Sequence, residues 1–276
     1  MAEKKVALVT GASSGIGRAA ALELGRRGFA VYGGARRVGR MADLRAQGVR
    51  PLALDVTDDA SAREAVAAVA REAGRLDVLV NNAGYGSYGA VEDVPLEEGR
   101  RQFDVNVFGA VRLTRAVLPL MRERGSGRIV NVTSVGGRVH TPLGAWYHGT
   151  KFALEGMSDV LRLELRRFGV DVVVVRPGGT RTEWGGIAAE HLLATSGDGV
   201  YGAQARRLAA GMMTGSAAER VPEPAVVARA IAAAATARRP RTRYAAGYMA
   251  RRILLLRGLL PDRAFDRLVD RALAGA

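Results

Sequence analysis

The sequence predicts an α/β protein built on one doubly wound (Rossmann-type) parallel sheet of about seven strands, with helices on both faces. Short valine-rich runs alternate with longer helical patterns along the 276 residues, and a glycine-rich turn follows the first run. Strands that are apolar throughout and alternate with helices are typical of parallel sheets covered on both sides. No repeat or linker divides the chain, so we expect a single domain over residues 1–276.

The elements are predicted in order from these runs and their breaks. Strands are expected at Lys5–Thr10, Ala30–Gly34, Arg50–Asp55, Leu76–Asn81, Gly127–Thr133, Val170–Arg176 and, weakly, Arg241–Ala245. Helices are expected at Ile16–Arg27, Val38–Gln47, Asp58–Ala73, Leu96–Arg124, Trp146–Phe168 and Pro224–Ala237. The long stretch Thr180–Val221 shows no clear period and is predicted to be an irregular lid of the site.

The turn after the first strand has the composition of a phosphate-binding loop. It reads Thr10-Gly11-Ala12-Ser13-Ser14-Gly15-Ile16-Gly17 and leads directly into a helix. Glycines at 11, 15 and 17 allow a tight turn and close backbone approach, so the helix N-terminus can offer free N–H groups to a pyrophosphate. The spacing differs from the common GxGxxG pattern, and a simple tight turn is the alternative.

Tyr147 and Lys151 form a candidate acid/base pair. They lie four residues apart in a predicted helix and therefore on one face. Lys151 is one of only three lysines in a chain with 38 arginines. An ammonium beside a phenol favours the phenolate, which makes a tyrosine a usable proton donor and acceptor. The alternative is an aromatic ring at a helix edge beside a solvated lysine.

Further polar residues fall where predicted strands end. These are Asp55, Asn81-Asn82-Ala83-Gly84, Thr133-Ser134 and Pro177-Gly178. In open α/β sheets ligands bind outside the carboxyl ends of the strands, so these groups should open onto one edge. Asn106 lies inside the helix predicted from Leu96, where asparagine is a poor helix former and often bends the helix. A solvated helical asparagine is the alternative for Asn106.

Composition limits the classes of function. There is no cysteine, and the three histidines are not grouped, so no metal site is predicted. No signal peptide or membrane-spanning segment is recognisable, and we expect a cytoplasmic protein. The net charge is +14, and half of it lies in the last 41 residues.

Residues 246–276 are predicted to form a basic, amphipathic helical tail that mixes arginine with leucine. The tail could associate weakly with an anionic membrane surface, or its leucines could dock on the parent domain or a partner subunit. Nucleic acid is not an expected partner, although a basic tail of this kind is compatible with it.

Taken in order, these motifs resemble the short-chain dehydrogenase/reductase superfamily over residues 4 to about 182. The pattern is similar to the branch that contains hydroxysteroid and retinol dehydrogenases. The resemblance implies a nicotinamide cofactor and a catalytic tetrad of Asn106, Ser134, Tyr147 and Lys151. Tyr147 would exchange a proton with the substrate oxygen, Ser134 would hold that oxygen, and Lys151 would lower the pKa of Tyr147. Asn106 would hold a water molecule that links Lys151 to solvent.

The same resemblance implies a set of cofactor contacts. Asp55 would lie by the adenine, Asn82-Ala83-Gly84 would line the middle of the cofactor, and Thr182 would touch the carboxamide. The full expected set also contains Gly11, Ser13, Ser14, Gly15, Ile16, Gly17, Arg36, Arg37, Val56, Tyr147, Lys151, Pro177, Gly178 and Thr180. One departure from the family pattern is His148-Gly149-Thr150 between Tyr147 and Lys151, where small residues are commoner.

Cofactor choice is predicted from the second strand. Its end carries no acid to bond a ribose 2′-hydroxyl, and Arg36 and Arg37 follow, which suit a 2′-phosphate. We therefore expect NADP(H) rather than NAD(H), with Ser13 as a further phosphate contact. Surface arginines in an arginine-rich chain are the alternative for the charges.

The substrate wall is predicted to be apolar. Tyr85 and Trp184 are the expected substrate contacts beside Ser134 and Tyr147, with Tyr88, Val91, Leu143, Trp146, His191, Leu192 and Leu193 around them. Such a wall favours a ketone or aldehyde on a hydrophobic body. A homodimer or homotetramer is expected from the resemblance. The alternative function is an NADP(H)-binding regulatory or membrane-peripheral protein with little turnover.

Overall fold

The computed structural model describes residues 4–217 and 220–274. Residues 1–3, 218–219 and 275–276, which belong to the predicted domain, lid and tail, lie outside the described residues. Seven strands form one sheet in the order β3-β2-β1-β4-β5-β6-β7, and every neighbouring pair is parallel, which confirms the predicted architecture. The strands are β1 (Val6–Thr10), β2 (Ala30–Ala35), β3 (Val49–Ala53), β4 (Val78–Asn81), β5 (Gly127–Val132), β6 (Val170–Pro177) and β7 (Arg243–Ala246).

Helices cover both faces of this sheet. They are α1 (Gly15–Arg26), α2 (Ala42–Ala46), α3 (Asp59–Ala73), α4 (Leu96–Phe103), α5 (Gly109–Glu123), α6 (Ala145–Leu165), α7 (Trp184–Ser196), α8 (Gly202–Ala217), α9 (Ala225–Thr236), α10 (Ala250–Leu259) and α11 (Asp262–Ala274). Alternate residues of β1 illustrate the two cores. Ala7 and Val9 pack on the side of α1 and α9, whereas Val6 and Leu8 pack on the side of α3 and α5. Burial on both sides explains why Val6–Val9 of β1 are all apolar.

The helix predicted from Leu96 to Arg124 is interrupted. A π-helical turn, Asp104–Phe108, separates α4 from α5. Asn106 lies in this turn, and its side chain is bonded to the backbone of Tyr85 rather than to solvent. The extra residue of the π turn directs Asn106 inward, as π turns in functional regions often do. The expected distortion at Asn106 is therefore present, and the alternative of a solvated asparagine is wrong.

The predicted irregular stretch Thr180–Val221 is not irregular, because it contains helices α7 and α8. Ala188, Ala189 and Leu192 of α7 pack against Ala205, Leu208 and Ala209 of α8. Both helices are rich in alanine and glycine and carry apolar residues on more than one face, so no one-sided period identifies them in the sequence. Residues of the segment line the cavity, and its role as a lid stays a prediction.

The C-terminal part adds the weakest strand and two helices. The strand expected near Arg241–Ala245 is β7, at the edge of the sheet next to β6. The tail then forms α10 and α11, and Phe265 of α11 is buried while the leucines of α10 are mostly exposed. Within the described residues, none of the helices is sufficiently long and apolar to cross a membrane.

Candidate active site

The loop between β1 and α1 is shaped by glycine. Gly11 and Gly15 have φ angles of +68° and +51°, a region that favours glycine. A Cβ atom on Gly17 would lie 2.3 Å from the carbonyl oxygen of Gly11, so no larger residue fits beneath the loop. Helix α1 begins at Gly15, and the Ser14 side chain makes no capping hydrogen bond. The first N–H groups of α1 therefore face a cradle that suits a phosphate.

Thr10 joins this loop to the end of β4. Its hydroxyl accepts hydrogen bonds from the backbone N–H groups of Asn82 (3.0 Å) and Ala83 (2.9 Å) and donates to the Val80 carbonyl (3.3 Å). Asn82 returns a hydrogen bond from Nδ2 to the Thr10 carbonyl at 3.0 Å. A Cβ atom on Gly84 would lie 2.9 Å from Asn106 Oδ1 and 3.7 Å from Lys151 Nζ. These hydrogen bonds hold the ends of β1 and β4 side by side.

Charged groups lie at the β2 and β3 ends of the cavity. Arg36 and Arg37 are exposed directly after β2, and both line the cavity. Asp55 accepts hydrogen bonds from the Thr57 backbone N–H (2.9 Å) and hydroxyl (2.7 Å). Burial alone would raise the pKa of Asp55, but Thr57 together with the nearby Arg36 and Arg112 lowers it. Asp55 is therefore a fixed carboxylate beside an exposed guanidinium.

Tyr147 and Ser134 meet at the centre of the cavity. Ser134 follows β5, and its Oγ accepts a hydrogen bond from the Gly136 N–H at 2.9 Å, which fixes the hydroxyl. Burial raises the pKa of Tyr147 to about 12, although a hydrogen bond with the Ser134 hydroxyl acts in the opposite direction. Desolvation of the phenol dominates this pKa in the structure, and the predicted lowering by Lys151 stays a prediction. Tyr147 accordingly holds its proton throughout the neutral range.

Lys151 lies one turn further along α6 and is buried. Its Nζ donates to the Val132 carbonyl at 3.2 Å and lies 5.9 Å from the centre of the Tyr147 ring. Burial lowers the pKa of Lys151 to about 8, while the charge of Glu155 acts to raise it. The ammonium form consequently prevails at neutral pH but is lost under mildly alkaline conditions.

Glu155 is a part of the site that sequence reasoning missed. This carboxylate is almost fully buried and accepts hydrogen bonds from Thr133 Oγ1 (2.8 Å), Arg176 Nε and Nη2 (2.8 and 2.6 Å) and Arg243 Nε (3.3 Å). It follows Lys151 by four residues, and that spacing was the available signal. Its buried position depends on arginines supplied by β6 and β7, which local patterns do not reveal.

Asn106 lies behind the cavity wall rather than in it. Its Oδ1 accepts from the Tyr85 N–H at 3.0 Å, and its Nδ2 donates to the Tyr85 carbonyl (2.9 Å) and to Thr150 Oγ1 (3.0 Å). Both amide hydrogens are therefore used. Asn106 fixes the loop after β4 against α6, close to Lys151.

His148 lines the cavity and connects two segments of its floor. Nδ1 donates to the Gly136 carbonyl at 2.9 Å, and Nε2 accepts from the Thr141 N–H at 3.1 Å. Burial lowers the pKa of His148. The neutral imidazole thus connects the segment after Ser134 to the first turn of α6.

Aromatic rings form the wall around the Tyr147 hydroxyl. The ring centres of Tyr88 and Trp184 lie 5.5 and 5.1 Å from that of Tyr147 and 6.0 Å from each other. Tyr85 lies further out and donates from its hydroxyl to Glu98 at 2.8 Å. A wall with three rings suits an apolar substrate.

One cavity of about 1540 Å³ connects these groups. Apart from Gly17 and Asn106, which lie behind its wall, all the predicted site residues line it. They are Gly11, Ser13, Ser14, Gly15, Ile16, Arg36, Arg37, Asp55, Val56, Asn82, Ala83, Gly84, Tyr85, Ser134, Tyr147, Lys151, Pro177, Gly178, Thr180, Thr182 and Trp184.

Part of the expected substrate wall lies elsewhere. Val91 is exposed on the surface, Leu192 is buried between α7 and α8, and Trp146 packs against Phe103. His191 contacts Ser87 at 3.4 Å instead of facing the substrate region. Residues that sequence reasoning missed close the outer part of the cavity; they include Arg101, Val139, Ile187, Met212, Arg220, Tyr248 and Ile253.

Comparison with known proteins gives consistent matches. The family model for short chain dehydrogenases matches residues 5–191. A 3-ketodihydrosphingosine reductase from Bacteroides thetaiotaomicron is 42% identical over 180 residues, which span 65% of this chain and 65% of that protein.

Solved structures match over most of the chain. A short-chain dehydrogenase from Streptomyces avermitilis is 36% identical with a TM-score of 0.78, covering 100% of this chain and 99% of that one. An alcohol dehydrogenase from Thermococcus sibiricus, complexed with 5-hydroxy-NADP, is 27% identical with a TM-score of 0.72, covering 89% and 97%.

Proposed function

Since the chain belongs to the short-chain dehydrogenase family, and is thus an oxidoreductase acting on alcohol or carbonyl groups, we propose that it reduces hydrophobic ketones or aldehydes with NADPH. The observation that carries the proposal is the position of Tyr147. Its hydroxyl and that of Ser134 share one cavity with a glycine cradle at one end and aromatic rings at the other.

The residues present fit a dinucleotide phosphate. The first turn of α1 and the glycine cradle would hold the pyrophosphate, and Arg36, Arg37 and Ser13 would surround the 2′-phosphate. Asp55 would lie beside the adenine, and the Asn82-Ala83-Gly84 backbone would line the middle of the cofactor. Thr182 lies at the edge of the same cradle, because its Cγ2 would be only 3.3 Å from a Cβ on Gly15. This position supports a contact between Thr182 and the bound cofactor. The NADP-type ligand of the Thermococcus sibiricus alcohol dehydrogenase agrees with it.

In the proposed reaction, bound NADPH supplies the hydride. Ser134 donates a hydrogen bond to the substrate carbonyl oxygen and orients it towards Tyr147. Tyr147 then donates its proton to that oxygen as negative charge develops there. With a pKa of about 12 Tyr147 is fully protonated at neutral pH, the form that reduction needs. Lys151 holds a positive charge beside the phenol and stabilises it as the proton leaves.

The substrate class is proposed from the outer cavity. Tyr88, Trp184, Ile187, Met212 and Ile253 give it mainly aromatic and aliphatic walls. A hydrophobic body attached to the carbonyl would displace water from these walls, whereas a charged sugar would leave its polar groups unpaired. The sphingoid ketone named for the Bacteroides relative is a carbonyl compound of this apolar kind.

We also propose that the chain forms a homodimer or homotetramer through α6. Phe152, Val160 and Leu163 are exposed on α6, with Gly156 beside them, and these positions repeat on one helical face. Contiguous exposed apolar surface on a helix often marks a subunit interface. Light scattering after size-exclusion chromatography should show an oligomer, and Leu163→Asp should yield monomers.

The experiment that tests the function is a side-by-side fluorescence titration with NADPH and NADH, followed by a screen of hydrophobic ketones and aldehydes for NADPH oxidation. We expect NADPH to bind at least tenfold more tightly and at least one apolar carbonyl to be reduced. Binding of neither nucleotide to folded protein would contradict the proposal and favour a regulatory or surface-binding role.

A further inference from the structure

Helix α10 carries leucines that are partly or largely exposed in the described part of the chain. Leu255, Leu256 and Leu259 are 62%, 38% and 71% exposed. The sequence left open whether these leucines dock on the parent domain. The structure shows that they do not, because the residues of α10 turned towards the domain are Ala250, which is buried, and Ile253, Leu254 and Arg257, which are partly buried.

The exposed side chains of α10 are those of arginine and leucine, with Gly258 beside them. Arg251, Leu255 and Leu259 follow one another at four-residue intervals, and Arg252 and Leu256 form the adjacent row. We call these five residues the α10 surface. Within the described residues no ion pair is found for Arg251 or Arg252, whereas Arg257 on the opposite side is paired with Asp262 at 2.7 Å. No acidic residue occurs between Arg243 and Asp262.

This combination fits the interface of an anionic bilayer. Leucine side chains gain free energy by entering the acyl region, while guanidinium groups remain at the level of the lipid phosphates. A second copy of the chain fits less well. An isologous contact would bring Arg251 and Arg252 near the same arginines of the partner without an intervening acid.

The opposite side of helix α10 borders the cavity. Ile253 of α10 lines the cavity, as does Tyr248, which lies just before the helix and is 40% exposed. On the other rim, Ile187 of α7 lines the cavity and is 51% exposed. The rim therefore has apolar groups that reach solvent from both sides. Helix α10 therefore carries the α10 surface on one side and borders the cavity on the other.

We propose that the α10 surface docks on anionic lipid bilayers and that the carbonyl substrate is a lipid that enters the cavity from the membrane. The part of this inference that concerns the substrate rests on the proposed reductase function, and the docking surface does not. Docking through α10 holds the cavity close to the bilayer, because the opposite side of the same helix lines the cavity.

The test measures co-sedimentation of the full chain with vesicles of phosphatidylglycerol and phosphatidylcholine in equal parts, and with vesicles of phosphatidylcholine alone. We expect binding to the anionic vesicles, weakened by high salt because the arginine contribution is screened. The Leu255→Asp/Leu259→Asp variant should lose binding at least tenfold. Arg251→Gln/Arg252→Gln should lose the preference for anionic lipid. Both variants should bind NADPH as the parent protein does, which shows that they fold.

Val91→Asp provides the matched control. Val91 is 63% exposed, like Leu255, but it lies beside Glu92 and Asp93 and outside the α10 surface. The Val91→Asp variant should bind vesicles as the parent protein does. Absence of binding to anionic vesicles, or equal binding by the leucine variant, would overturn the proposal. An oligomer that the leucine variant dissociates, without any vesicle binding, would instead assign the surface to a second copy.

The outcomes for docking and for function are separable. Vesicle binding by a protein that fails to bind NADPH would leave docking intact and remove the reductase proposal. If both hold, a ketone lipid in anionic vesicles should be reduced at least tenfold faster by the parent protein than by the leucine variant. A soluble short ketone should be reduced equally by both; a difference there would place the defect in the catalytic site and overturn delivery from the membrane.

Discussion

Residues 5–178 and the lid segment 180–221 border the same cavity but are held there by different contacts. In the first region, site groups lie at the ends of parallel strands that are paired by backbone hydrogen bonds, and the Thr10 hydroxyl joins the end of β1 to the backbone of Asn82 and Ala83. The lid is attached mainly by side chains. Ser196 of α7 bonds Asp93 at 2.5 Å and the Ala90 N–H at 2.9 Å, and Glu183 pairs with Arg40 at 3.3 Å.

Because the contacts differ, substitutions in the two regions should affect different properties of the enzyme. Sheet geometry fixes the proton donor and the cofactor cradle within narrow limits, so substitutions there should affect chemistry or cofactor binding strongly. Side-chain contacts hold the lid more loosely, so substitutions there should affect substrate affinity modestly. Five predictions test this contrast.

The largest effect should follow removal of the proton donor. Tyr147→Phe should lower kcat for ketone reduction by about 10³-fold, because general acid catalysis is lost while the ring remains packed. Tyr88→Phe, which keeps a ring beside Tyr147, should lose less than about tenfold under the same acid/base argument. Steady-state NADPH oxidation measures both. Comparable losses in the two variants would show that Tyr147 acts only through packing.

The cofactor cradle should be nearly as sensitive. Gly17→Ala places a Cβ atom 2.3 Å from the Gly11 carbonyl oxygen and must displace the loop. We expect NADPH affinity to fall by about 100-fold, measured by fluorescence titration, since backbone approach to the pyrophosphate is lost.

Gly25→Ala is the matched control for this change. Gly25 lies in the same helix, and a Cβ atom there would meet nothing within 4 Å. Its affinity for NADPH should be unchanged, and its melting temperature should rise, because alanine stabilises a helix interior. Equal affinities for the two variants would refute the role of Gly17.

Cofactor selectivity should depend on the end of β2. Arg36→Asp should lower the ratio of NADPH to NADH affinity by about 100-fold, because a cation for the 2′-phosphate becomes an acid for a ribose hydroxyl. Arg45→Asp makes the same change of charge on α2, outside the cavity, and should leave the ratio unchanged. A ratio that Arg36→Asp does not alter would contradict the assignment of this end of the cavity.

The pH dependence of kcat/KM should reveal the effect of Glu155 on the pKa of Lys151. The Lys151 ammonium is lost as pH rises through its pKa of about 8, and the Glu155 carboxylate acts to keep it charged. Glu155→Gln removes that charge, so the pKa of Lys151 should fall and the alkaline decline of kcat/KM should begin at lower pH. At pH 7 the loss should be a few-fold, on the order of the effect of one nearby charge on a buried group.

Asp159→Asn is the control for Glu155→Gln. It separates the loss of charge near Lys151 from looser packing around Arg243. Asp159 shares Arg243 with Glu155 but is half exposed and lies a further turn away from Lys151. This variant should keep the parental pH profile. If Glu155→Gln does not shift the alkaline decline of kcat/KM, Glu155 contributes to stability alone.

The smallest effect should come from the lid. Ser196→Ala removes the hydrogen bonds to Asp93 and Ala90 and should cost about 1 kcal/mol of stability. We expect KM for a hydrophobic ketone to rise a few-fold, whereas kcat and NADPH affinity should stay unchanged. If Ser196→Ala lowers kcat as much as Tyr147→Phe does, the proposed difference between the two regions is wrong.

The same contrast explains what the sequence could predict. Strand ends and glycine spacing are local signals, so the sheet, the cradle and the positions of Ser134, Tyr147 and Lys151 were all readable. Glu155 and the helices of the lid were not, because they depend on arginines from distant strands and on alanine-rich packing without a one-sided period. The raised pKa of Tyr147 was also unreadable, since desolvation follows only from the tertiary structure.

The π-helical turn at Asp104–Phe108 limits how this segment can change in length. Leu113, Val117 and Met121 form the buried row of α5, and that row faces the sheet only because of the extra residue before it. Deleting one residue between α4 and α5 would turn the row by roughly 100° away from the sheet or turn Asn106 out of place. Insertions and deletions should therefore be excluded from this stretch even though its helices are long and partly exposed.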